Sequence, residues 1–297
     1  MSTQGEALRG TRINWINLRG LIFLHTASAV AIWYLVSGHA HWATLVLTFV
    51  WYWLTGLSIT AGYHRAFSHR AYDVGAPLRW FFLIFGAGAL QTSVLQWSVD
   101  HRNHHHYSDT EGDPYSVKTG FWWAHVGWIL RNHHGYDEPP LDNVRDLAAM
   151  PGVRFQHKYY DALGVIVAFV IPIGLASLWG DPWGGVLVAG ALRTLTLLHA
   201  TWCVNSVAHW FGDRPYSRTT SARNSLVTAL ITGGEGYHNF HHRFPSDYRN
   251  AVRWYQYDPT KWFIWTMERC GLAHDLKRAP TGTIHAAASS RGRTEQQ

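Results

Sequence analysis

The sequence predicts an all-α integral membrane protein: four transmembrane helices with a helical cap gathered on one side. Three observations predict it. Four apolar stretches have the length of about 20 residues that a bilayer crossing needs. Charged residues make up only 15% of the 297 and aromatic residues another 15%, with 17 Trp, where a soluble domain carries about 25% charged residues. Histidine clusters fall at the ends of those stretches, between them or beyond the last, not inside.

The crossings lie at about 20–37, 43–62, 161–178 and 183–204. Only "GHAHW" parts the first pair and only "WGDP" the second, so each pair forms a helical hairpin. Parity then puts segment 1–19, segment 63–160 and everything after 205 on one face. The middle segment carries Arg65, Arg70, Arg79, Arg102, Lys118, Arg131, Arg145, Arg154 and Lys158, while the hairpin turns carry no Lys or Arg. By the positive-inside rule that face, with both termini, is cytoplasmic.

The net charge of +6 is scattered among Trp and Phe, which points to a membrane surface and not to nucleic acid. The polar start "MSTQGEALRGTRINW" precedes an apolar run without a cleavage pattern, so the first crossing reads as an uncleaved anchor. Segments 77–90 and 120–130 are apolar but short or aromatic-rich, and read as interfacial helices. Cys203 and Cys270 form no CxxC and read as reduced thiols. The membrane domain is expected over 20–280, with cap segments 63–160 and 205–280, and 281–297 is expected as a disordered tail.

Histidine is concentrated on the predicted cytoplasmic face. "HRAFSH" holds His64 and His69, "HRNHH" holds His101, His104 and His105, and "HNFHH" holds His238, His241 and His242. "NSVAH" adds Asn205 and His209 at the end of the last crossing. On a helix, residues i, i+3 and i+4 share one face, so each HxxHH aims three imidazoles at one region. Nine imidazoles exceed one coordination sphere, and two ions are the natural count. Imidazole suits zinc, copper, nickel and iron alike, so spacing leaves the metal open. The crossings hold only His25 and His199, whereas a metal transporter places coordinating groups near the bilayer midplane.

Asp100, Asp109, Glu111, Asp113 and Glu235 lie near the clusters. Soluble carboxylate-bridged bundles need helical ExxH pairs. The one such motif, Glu235 to His238, sits among glycines that argue against a helix. Accepting the far N–H of a ligating imidazole is the better role, and Asp100 and Glu235 are the preferred candidates.

Five segments together, "SITAGYHRAFSHR", "QWSVDHRNHHHYSDTEGDPY", "FWWAHVGWIL", "ATWCVNSVAHWFG" and "GGEGYHNFHHRFPSDYR", resemble the integral-membrane fatty-acid desaturase family, and within it the Δ9 acyl-CoA (stearoyl-CoA type) desaturases. The resemblance covers about residues 20–270. It implies four transmembrane helices under a cytosolic cap with two irons, bound by His64, His69, His101, His104, His105, His209, His238, His241 and His242. Asn205 would hold one iron through a water. His106 has no counterpart in that set.

The implied reaction is O2-dependent desaturation of a saturated C16 or C18 acyl chain, with a cis double bond at Δ9. Gln91, Trp97 and Thr201 match positions that bend the acyl chain. Tyr52 and Gly56 lie twelve and eight residues before His64 and extend the substrate-binding set toward the tunnel's far end. Animal acyl-CoA members carry an Arg-Lys pair after "HVGW" where this chain has Asn132 and His133. An acyl-lipid substrate therefore stays open, as does membrane di-iron hydroxylation. No cytochrome b5 pattern accompanies the chain, so a separate donor (ferredoxin, cytochrome b5 or a reductase) is implied, and a bacterial inner membrane is the expected location.

Overall fold

Asn14 starts the first long helix by accepting the backbone N–H of Asn17 at 3.0 Å, the bond expected of an N-cap asparagine. In the computed structural model, which describes residues 12–131 and 141–289, that helix runs Trp15–Val36. It therefore begins five residues before the apolar stretch suggested. Four helical spans are long and apolar enough to cross a membrane: Trp15–Val36, Trp42–Ser68, Tyr160–Ser177 and Pro182–Trp210. They fit a multi-pass membrane protein. The second and fourth run beyond the predicted ends at 62 and 204, carrying their helices into the histidine motifs.

The described residues fall into two compact units. One gathers 12–59, 80–99, 129–131 and 141–199. A buried carboxylate ties the turns of its two hairpins together. Asp181 accepts hydrogen bonds from Tyr34 Oη (2.7 Å), Thr44 Oγ1 (2.6 Å), and the backbone N–H of His41 (2.9 Å) and Gly184 (2.8 Å). The sequence "WGDP" thus supplies a cap for its own helix and a tie between two turns. Where Gly185 packs, an added Cβ would stand 2.8 Å from Ile173 Cα, so only glycine permits this helix approach.

Two helices of this unit widen into π-turns, at Ile166–Val170 and Gly185–Leu192. Trp51 Nε1 donates to Val167 O at 2.8 Å. Arg193, buried at 1% exposure, donates to Ala189 O, Ala168 O, Gly88 O and Thr55 Oγ1. A buried guanidinium is costly unless its donors are matched, and here backbone carbonyls match them.

The other unit gathers 60–79, 100–128 and 200–289. Its sheet content is one antiparallel pair of two-residue strands, Asp73–Val74 with Ala273–His274. Its centre is polar. Arg65 donates to Glu235 Oε1 (2.7 Å), Asp258 Oδ1 (3.0 Å) and Tyr248 O (2.8 Å). Asp258 in turn caps helix Pro259–Arg269 through the N–H of Lys261.

Residues 281–289 depart from the expected disordered tail: Thr281–Ser289 is a helix with Ile284 buried. Ala-rich composition favours the helix, and the buried Ile284 gives it a packed contact. Residues 290–297 lie outside the described residues.

Candidate metal centre

The three histidine motifs are built by two backbone devices. Helix Val94–Tyr107 carries His101, His104 and His105, and helix His238–Arg243 carries His238, His241 and His242, so both HxxHH motifs use α-helical spacing. His64 and His69 are five apart, which an α-helix would not align. Here Ser58–Ser68 is a π-helix, and the His69 N–H bonds to His64 O at 3.1 Å, the i→i+5 closure that defines this winding. Arg102, inside the second motif, donates to Ser68 O (3.0 Å) and Phe67 O (2.8 Å) and satisfies the carbonyls left at that helix end. His209 follows a break at Ser206, on the short helix Val207–Trp210.

Nine imidazoles converge in two groups. His64, His69, His101, His105 and His241 form one, and His104, His209, His238 and His242 the other, with the candidate ligand atoms of each group within 4.8 Å of one another. Nε2 faces Nε2 throughout. The separations are 2.9 Å for His64–His241, 2.8 Å for His69–His101, 3.0 Å for His105–His241, 3.0 Å for His209–His238, 3.1 Å for His238–His242 and 3.3 Å for His104–His242. Rings of His105 and His242 stack at 4.3 Å, linking the groups.

Carboxylates fix which nitrogen carries the proton. His64 Nδ1 donates to Glu235 Oε2 at 2.8 Å, and His104 Nδ1 to Asp113 Oδ1 at 2.9 Å. His209 Nδ1 meets Ser221 Oγ at 2.7 Å, while the Ser221 hydroxyl donates to Asp109 Oδ1. The serine hydrogen is thus committed to Asp109, and its lone pair takes the imidazole N–H. In all three cases the inward Nε2 is left as a bare lone pair.

Electrostatics agree. Burial, and then the neighbouring imidazoles, push His69, His101, His105, His238, His241 and His242 well below the ordinary histidine pKa, so these rings are neutral. Burial alone would raise Glu235, but Arg65 and His64 outweigh it and hold its carboxyl at about 2. The buried Nδ1 atoms of His238 and His241 have no protein partner.

Converging neutral lone pairs repel unless a cation lies among them. Two nitrogens bound at right angles to one ion with bonds of about 2.1 Å stand about 3 Å apart, the spacing seen here. The residues fit two metal ions with imidazole donors. Asn205, partly buried, ends helix Arg193–Asn205 one turn before His209.

A family comparison decides what this donor set belongs to. The sequence profile described as fatty acid desaturase matches residues 40–271. The chain belongs to the fatty acid desaturase family. Among similar proteins are a probable acyl-CoA desaturase of Schizosaccharomyces pombe, 46% identical over 92% of this chain, and stearoyl-CoA desaturase 5 of Bos taurus, 40% identical over 96%. A third is Delta(9)-fatty-acid desaturase fat-7 of Caenorhabditis elegans, 38% identical over 95%. The alignments cover 86% of the cattle protein and 85% of the nematode protein, but the chain spans only 56% of the length of the yeast relative.

Sequence reasoning chose Glu235, which does hold His64, but passed over Asp113 and Asp109 as orienting groups. Asp113 lies nine residues beyond His104 across a loop, and Asp109 acts through Ser221, more than a hundred residues away. No helical spacing signals either. Asp100 is partly buried beside His101. His106 is exposed on the helix that holds three of the nine.

The predicted tunnel residues occupy separate elements. Tyr52 and Gly56 lie on helix Trp42–Leu57, Gln91 in the turn after helix Ala76–Ala87, Trp97 on Val94–Tyr107 and Thr201 on Arg193–Asn205. Counting four-residue steps from His64 to Tyr52 fails at Ser58, where the winding widens. Thr60, four residues before His64, bonds Thr260 through their hydroxyls at 2.8 Å. Asn132 and His133 lie outside the described residues.

Proposed function

We propose that this chain is an O2-dependent acyl-CoA Δ9 desaturase that introduces a cis double bond into saturated C16 or C18 chains. The observation that carries the reading is the pair of all-imidazole groups, one of five and one of four, in a chain 38–46% identical to the desaturases named above. The overall change joins one saturated chain, one O2, two electrons and two protons to give one unsaturated chain and two waters.

Iron is the metal this reading assigns: His64, His69, His101, His105 and His241 would hold one ion. His104, His209, His238 and His242 would hold the other, and Asn205 would act through a water. A bound iron pair supplies activation of O2 and removal of hydrogen from an unactivated methylene, chemistry beyond any side chain. The protein's own part is electrostatic and steric. Glu235, Asp113 and the Asp109–Ser221 pair keep the Nδ1 of His64, His104 and His209 protonated and their Nε2 available. Gln91, Trp97 and Thr201 bend the acyl chain, while Tyr52 and Gly56 bound its methyl end, so position along the chain decides which bond reacts.

Electrons come from a ferredoxin, a cytochrome b5 or a reductase. We place the histidines and both termini on the cytoplasmic side, from the Lys and Arg of 63–160 against none in the hairpin turns. The expected bacterial inner membrane gains no support from relatives in a yeast, cattle and a nematode. A second reading, desaturation of an acyl lipid, is favoured by Asn132 and His133 in place of a cationic pair. Lipid analysis of cells expressing the protein, fed stearate, tests both. New Δ9 C18 product is expected, and purified protein should make it from stearoyl-CoA. Product from phospholipid but not from stearoyl-CoA selects the second reading, and no unsaturated product in either defeats both.

A further inference from the structure

The turn between helices Ala76–Ala87 and Val94–Tyr107 is strained. Leu90 and Thr92 stand at φ +55° and +72°. A β-branched residue in the left-handed region is a genuine outlier, and such strain persists only where the surroundings over-determine it. Gln91 lies between the two.

The surroundings here are specific. On the near side the backbone of Gly88 is pressed so close to Val167 that an added Cβ would stand 2.4 Å from its Cγ1. Arg193 Nη1 holds Gly88 O at 2.9 Å. On the far side one short segment supplies three polar groups. The Thr92 N–H donates to Tyr160 Oη (2.9 Å), the Val94 N–H to Gln156 Oε1 (3.1 Å), and Ser93 Oγ pairs with His157 Nδ1 (2.6 Å). Gln156 has no exposed surface. Ser93 Oγ also accepts the Gln96 N–H at 3.3 Å and caps the helix that carries Trp97. A fully buried glutamine that accepts the N–H of Val94 fixes where this helix starts and how it is set.

We propose that Tyr160, Gln156 and His157 are positioning residues that hold the 88–93 turn in its strained form and thereby fix Gln91 and Trp97 against the acyl chain. The inference rests on the proposed desaturase activity for the role of Gln91 and Trp97. Its consequence is regiochemical: the segment sets which pair of carbons loses hydrogen, without touching substrate.

The test is the positional distribution of double bonds in the product of Tyr160→Phe, with thermal stability measured on the same sample. Loss of the acceptor frees Thr92 to leave the left-handed region, and the share of product outside the main isomer should rise several-fold. Glycine takes positive φ readily, so Tyr160→Phe/Thr92→Gly should return the distribution toward wild type. Gln156→Leu, which removes the acceptor of Val94, reads the same quantity independently. Unchanged regiochemistry in Tyr160→Phe and Gln156→Leu, with or without a fall in stability, overturns the proposal, as does lost fidelity that glycine at 92 fails to restore. A wild-type protein that forms no double bond counts against the desaturase reading instead.

Discussion

At the scale of single residues, the two imidazole groups differ in how their rings are held. His64 leans on Glu235, which is itself clamped by Arg65 and by Asn250 Nδ2 at 2.7 Å. The group of four has two carboxylate-backed rings, His104 on Asp113 and His209 on Asp109 through Ser221. Loss of such an orienting group typically costs 10–100-fold in metal affinity or activity. Asp109→Asn should therefore deplete the four-histidine group first, and iron per chain should fall from two toward one under mild chelation while wild type keeps both. His104→Ala and His241→Ala should each abolish turnover and lose metal while the protein still inserts in the membrane. His106→Ala, exposed on the same helix, should retain substantial activity, and turnover assays on matched membrane fractions check all three. The HxxHH motifs were legible because α-helical spacing repeats locally. Asp109 was not, because its contact is set by a loop that returns from Ser221.

Elements show where periodicity misleads. Hydropathy marks the four spans, since burial in lipid demands continuous apolar length, but it does not mark where they stop. The second span continues to Ser68 because its end is built for His64 and His69 and capped by Arg102. The π-winding from Ser58 also cuts the register that linked Tyr52 to His64. Gly56 retains a physical case of its own. It is buried, and an added Cβ would meet a single neighbour, Leu197 Cδ1, at 3.4 Å. Gly56→Trp should shorten the preferred acyl chain and Tyr52→Ala lengthen it. Each methylene buried is worth about 0.8 kcal/mol, so two carbons should change the C16 to C18 product ratio by roughly an order of magnitude. An unchanged ratio in Gly56→Trp removes this helix face from the tunnel. In the hairpins, Asp181→Ala leaves the donors of Tyr34 and Thr44 unmatched. With about 1.5–3 kcal/mol for each bond to a charged group, thermal unfolding of the detergent-solubilised protein should shift down by several degrees or more.

For the whole molecule, membership of the fatty acid desaturase family and two converging imidazole groups support the proposed account: two irons per chain, held by nine histidines, serving desaturation. Much of this was legible in sequence because the chemistry demands rare residues at tight spacings. The division of nine histidines into five and four was not, because it depends on which rings meet across segments more than a hundred residues apart, as His64 meets His241 and His104 meets His242. The central claim is tested most directly by metal analysis of anaerobically purified protein, with stearoyl-CoA turnover measured on the same sample. The account predicts iron approaching two per chain, with turnover rising in proportion to iron content. A stable content of one metal per chain, or full turnover in protein that holds zinc and no iron, would contradict it.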